Sequence, residues 1–250
     1  MIKNNWSKEE TIVAFSVYCK IPFKNSSKTH PMIIEYAKLI GRSPSALNMK
    51  IGNFGRLDPE LKEQGIIGLS HGSKLEEEVW NEFNNNWDAL SFESEKIIAK
   101  LQGITIEQAI RNNFPEGKEI ERTIKTRINQ TFFRSSVLSA YNSTCCITSI
   151  DIPDLLIASH IIPWRENRER TNPKNGLCLN ALHDKAFDRG LFSIKENYQI
   201  IVSKYLLDFE KNDSIQKYFL SFNNKKINLP DKFLPDKNFL QYHYEEIFKK

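Results

Sequence analysis

Long apolar runs are missing from this 250-residue chain. Its uncharged apolar segments, typified by Leu155 to Ala158, fall far short of the ~20 residues that a membrane-spanning helix needs, so no membrane partner is expected. Cysteine is scarce. Four in the whole chain cannot build a disulfide framework, and reduced thiols in a cytoplasm fit better. Cys145 and Cys146 are adjacent and Cys178 stands apart, so two Cys-x-x-Cys pairs are also lacking. No structural zinc is expected, and the thiols read as small buried hydrophobes. The opening Met-Ile-Lys-Asn-Asn-Trp has no apolar stretch behind its lysine, unlike a secretory signal. There is no internal repeat and no low-complexity tract. A strong charge of one sign is absent as well, since the net charge is only +4.

The distribution of charge says more than its sum. From Lys20 to Leu57 there are seven basic residues against one acid; from Asp58 to Glu95 there are ten acids against two lysines. Such segregation fits a segment that faces a polyanion, and equally a solvated basic face beside a solvated acidic helix. Ahead of the basic segment, Ser7 with Glu9 and Glu10 has the pattern of a capped helix start. Pro31 to Ile40 reads as a second helix stopped by Gly41, and Ser43-Pro44 opens a third that runs to about Asn53. The second and third form a helix-turn-helix outline. Arg42, Ser45, Asn48, Lys50 and Arg56 are its candidate DNA contacts. The strings WSKEE and AKLIGRSPSALNMK resemble a Myb-like three-helix module, which implies DNA binding over about the first 55 residues.

Leu57 to Gly72 reads as a loop. The run from Ser73 is strongly helical, with Leu75, Val79, Phe83, Trp87 and Leu90 as a packing stripe. Asn112 to Lys118, holding Pro115-Glu116-Gly117, reads as a domain boundary. Glu119 to Tyr141 reads as a helix whose basic residues suit either phosphates or solvent. The expected domains are a helical module over 1–70, a helical connector over 71–111 and a third domain over 112–250.

The chemistry concentrates between Cys145 and Ile194. Leu155 to Ala158 reads as a short buried strand delivering Ser159 and His160. A polar loop carrying Asn172, Pro173 and Asn175 follows, then a strand at Leu177 to Leu179. A helix from Ala181 to Arg189 ends at Gly190. Cleaving a phosphodiester needs a base to deprotonate water and a cation for the oxygens that gain charge. Histidine, with an ordinary pKa near 6.5, can be neutral and ready to accept a proton.

Ala158-Ser159-His160-Ile161-Ile162-Pro163-Trp164, Asn175-Gly176-Leu177-Cys178-Leu179, and Leu182-His183 with Phe187-Asp188-Arg189-Gly190 closely resemble the HNH nuclease family. The flanks FFRSSVLSAYNSTCCITS and LPDKFLPDKNFLQYHYEEIF resemble bacterial restriction-type members. The resemblance implies an α+β protein with a helical N-terminal half and a C-terminal ββα-metal domain. It implies His160 as general base, Asn175 as loop organiser and His183 as ligand of a divalent ion, Mg²⁺ or else Mn²⁺, Ni²⁺ or Zn²⁺. Two departures stand out. Ser159 occupies a position where many such sites place a metal-binding acid or histidine. Asp188 lies five positions beyond His183, so ligand and structural roles both stay open for it. Trp164 and Arg165 are placed to line a substrate groove. Double-stranded DNA, a restriction or defence role and a homodimer are the expectations; a non-catalytic DNA binder with a degenerate HNH fold and an RNase or toxin-like nuclease are the alternatives.

Overall fold

Ser7 starts the first helix with a reciprocal pair of hydrogen bonds. Its hydroxyl accepts from the Glu10 N–H (3.1 Å) while the Glu10 carboxylate accepts from the Ser7 N–H (2.8 Å), satisfying donors that a helix start leaves open. The computed structural model describes residues 5–66, 72–110, 120–164 and 170–250. The chain divides into two units, Met1–Ala140 and Tyr141–Lys250.

The first unit is helical: α1 (Lys8–Lys20), α2 (Pro31–Leu39), α3 (Pro44–Leu57), α4 (Pro59–Glu63), α5 (Lys74–Phe83), α6 (Trp87–Gln102), α7 (Ile106–Ile110) and α8 (Ile120–Ala140). Every residue of α1 from Glu10 to Cys19 is buried, because α3, α5, α6 and α8 all pack on it. Phe15 stacks on Phe54 with ring centroids 4.7 Å apart, and Trp80 lies 5.2 Å away. A tight turn joins α2 and α3. Gly41 takes φ +67° in the turn, and the Ser43 hydroxyl accepts from the Ala46 N–H to start α3.

Three readings change. The expected loop after Leu57 holds α4, capped by Asp58. The acidic run is broken into α5 and α6 by Asn84 to Asn86, where Asn85 adopts φ 69°. The expected boundary at 112–118 lies outside the described residues, and α8 beyond it packs on α1 and α6, with Trp87 and Phe132 rings 6.5 Å apart. Burial of Ile124, Ile128 and Phe132 draws α8 into the helical unit, which extends to Ala140 rather than ending near Asn112.

The second unit contains two small antiparallel ribbons, which makes the fold α+β as expected. In the first, β1 (Leu156–His160) pairs with β2 (Gly176–Asn180), placing Leu156 opposite Asn180 and His160 opposite Gly176. Helix α9 (Ala181–Asp188) packs on both strands. The second ribbon, β3 (Phe192–Ile194) with β4 (Ile200–Val202), has no counterpart in the sequence reading. Short helices α10 (Lys204–Leu207), α11 (Asp213–Tyr218) and α12 (Lys237–Tyr242) follow, and a π-helical turn His243–Ile247 closes the chain. Among the described residues, no helix is long and apolar enough to cross a membrane.

Candidate functional site

His160 is the last residue of β1, backed by the buried Ile161. Its Nε2 lies 3.0 Å from the Arg170 carbonyl oxygen. A carbonyl can only accept, so Nε2 carries the proton and the ring's lone pair sits on Nδ1. Burial pushes the His160 pKa below 6.5, against a smaller opposing pull from the Arg170 carbonyl. The imidazole is therefore neutral at pH 7, with a definite tautomer. The Trp164 ring meets it edge-on at 5.3 Å, and the Arg170 guanidinium lies 5.5 Å over that indole. Trp164 thus borders His160. Arg165 lies outside the described residues.

Asn175 ties down the chain that follows His160. Its Oδ1 accepts from the Ile162 N–H (2.9 Å) and its Nδ2 donates to the Ile162 carbonyl (3.1 Å). Its own carbonyl accepts from the Ile161 N–H at 2.9 Å. The side-chain amide carries a donor and an acceptor side by side, and here both bond the backbone of one residue, Ile162. Asn172, in the same polar loop, braces the turn by accepting from the Lys174 N–H at 3.0 Å.

His183 departs from expectation. It is 2% exposed and lies edge-on to Phe192, Phe219 and Phe222, at 5.8, 5.3 and 6.0 Å. Nδ1 is 2.9 Å from Asn180 Nδ2 and Nε2 is 2.7 Å from the Tyr218 carbonyl oxygen. Asp188 is exposed on α9, five positions on and so rotated about 140° away from His183. Its pKa is raised by partial burial and then by the charge of Asp184, one turn back.

These residues do not fit a divalent ion. Both His183 nitrogens are engaged, and Asp188 looks elsewhere. Ser159 is buried, and its hydroxyl has no hydrogen-bond partner among the described residues, but one neutral oxygen is a poor substitute for carboxylates. Among the described residues, no three His, Cys, Asp or Glu side chains converge as a metal site. Gly176 and Asn180 also stand four strand steps apart, about 13 Å, so His160 and the start of α9 belong to opposite ends of the ribbon. The four cysteines are free and buried. Cys145 accepts from the Asn180 N–H at 3.3 Å.

The DNA-contact candidates of the first unit are also largely engaged. Lys50 is buried and ion-paired with Glu76, and its ammonium lies 4.7 Å over Trp6. Arg42 pairs with Glu10 at 2.8 Å and Arg56 with Glu77 at 3.1 Å. Asn48 accepts from the Ser26 hydroxyl at 3.2 Å, and Ser45 is exposed. Lys50 as a phosphate contact is therefore corrected: α3 turns Leu47, Lys50, Ile51 and Phe54 inward at helical spacing. That spacing was readable beforehand. Met49 is 60% exposed on the outer face beside Ser45.

Residues 145–195 match a family described as HNH endonuclease, a span that runs from Cys145 through the first ribbon and α9 into the second ribbon. No curated protein matches the chain.

Proposed function

We propose that this protein is an HNH-type endonuclease that hydrolyses phosphodiester bonds of double-stranded DNA, with a restriction or defence role. The observation that carries the reading is the tautomer of His160, set by the Arg170 carbonyl at the end of β1. Nδ1 of His160 takes a proton from water, the resulting hydroxide attacks phosphorus, and the bond to the leaving oxygen breaks. Asn175 holds the backbone after His160, its carbonyl bonding the Ile161 N–H and its side chain both backbone groups of Ile162, so that the ring keeps its aim. The Arg170 guanidinium over Trp164 supplies positive charge near the base. Phosphodiester hydrolysis benefits from a cation at the leaving oxygen, and His183 with Asp188 does not hold one. The assay therefore carries added Mg²⁺ or Mn²⁺, with a chelator control.

Supercoiled plasmid should be nicked and RNA spared. His160→Ala should slow nicking at least ~100-fold, the lower end of what general base catalysis contributes, with DNA affinity unchanged within a few-fold. Near wild-type cutting by that variant would overturn the assignment. The engaged nitrogens of His183 favour a second reading, a DNA binder on a degenerate HNH fold. A wild-type chain that binds duplex DNA but cuts with neither cation would establish it.

A further inference from the structure

We infer that His183 is a positioning residue, a two-ended pin between the end of the first ribbon and the Lys204–Phe222 segment, and that it does not ligate a metal. This rests on the nuclease reading only where cleavage is measured. Asn180 caps α9, its Oδ1 accepting from the N–H groups of Leu182 (3.1 Å) and His183 (3.0 Å). Those two donors fix which end of the amide is oxygen. The end facing His183 is thus Nδ2, which cannot accept, so the bond across 2.9 Å runs from Nδ2 to a bare His183 Nδ1, while Thr148 Oγ1 at 3.0 Å takes the second hydrogen and Cys145 Sγ lies farther off at 3.6 Å. The other ring nitrogen faces the Tyr218 carbonyl oxygen, which can only accept, so Nε2 carries the proton. The two constraints are independent and agree on one tautomer. A metal-binding histidine needs a bare nitrogen directed at the ion, with the other nitrogen donating to a partner. Here the bare nitrogen already accepts, and the phenyl rings of Phe192, Phe219 and Phe222 surround the imidazole.

The pin has a use. Asn180 ends β2 and Tyr218 ends α11, so His183 joins the ribbon's register to a segment that is otherwise held by short helices. Along β2 that register leads to Gly176, opposite His160, and to Asn175 beside it. Loss of the pin lets the base site drift, and a drift of about 1 Å costs on the order of 100-fold in rate.

The decisive experiment combines ring NMR with conservative rescue. In the ¹⁵N-labelled full chain, with the histidines assigned by single substitution, His183 should show the Nε2–H tautomer. Added Mn²⁺ should leave its ring signals unbroadened. A bare Nε2, or selective broadening of His183, overturns the inference whether or not the chain cuts DNA. Glutamine can still donate to the Tyr218 carbonyl. His183→Ala should therefore lose about 100-fold in kcat with little change in KM, and His183→Gln should recover most of it. A metal ligand would be lost equally in both, and equal loss would count against the pin. If the wild type fails to cut, the nuclease reading falls while the tautomer and Mn²⁺ results still judge His183.

Discussion

The behaviour of single histidines separates catalysis from stability. Cleavage should be flat near pH 7 and fall in acid with a midpoint below 6.5, because burial holds the His160 pKa down. A pH-rate profile with its midpoint above 6.5 would point to another base. His243 acts on stability. Stacked on Phe187 at 3.6 Å and bonded to Ser193, it is buried, and burial pushes its pKa down to about 4. As pH falls, the unfolded chain takes up the proton first. The stabilisation from the neutral ring is therefore complete above about 6.5 and is lost as pH falls towards 4, on the order of 3 kcal/mol. Melting temperature against pH should show this decline, and His243→Gln should flatten it.

Among the elements, α9 and the turn before β2 depend on single residues. Asn175→Ala leaves the part-buried Ile162 N–H and carbonyl without their amide partner, at about 1 kcal/mol for each lost bond. Denaturant titration should register that loss, with a larger proportional loss in cutting. Gly190 ends α9 at φ +67°, and a Cβ there would collide with the Ile247 carbonyl. The Lys249 N–H also donates to the Gly190 carbonyl at 3.0 Å. Gly190→Ala should therefore cost more than the roughly 1–2 kcal/mol of a left-handed residue alone. These starts and stops were visible in the sequence, since capping and left-handed turns are local. The break at Asn85 and the second ribbon were not: neither Asn84-Asn85-Asn86 nor the short strands carry a periodicity that outweighs their surroundings.

At the scale of the whole molecule, the basic residues of the first unit divide between packing and surface. Glu76→Ala would leave the Lys50 ammonium buried and unpaired, which costs about 3–5 kcal/mol. It should lower the melting temperature. Lys50→Met, which removes the charge, should be far milder and should leave the salt dependence of DNA binding unchanged. If Lys50 does touch a phosphate, that slope would fall by about one unit.

What the sequence determined was whatever neighbouring residues settle among themselves. It placed the caps at Ser7 and Ser43, the strand that delivers His160, the amide at Asn175 and the stop at Gly190. It also showed the likeness to HNH nucleases, through residues spaced closely along the chain. Tertiary structure decided which polar groups face one another. It set Glu76 against Lys50 and drew α8 into the helical unit, contacts between residues far apart in the chain. It also brought the Tyr218 carbonyl to His183, 35 positions away in sequence. A motif records residue types at a spacing. Whether a histidine nitrogen is bare or already bonded depends on the groups that the rest of the fold packs against it.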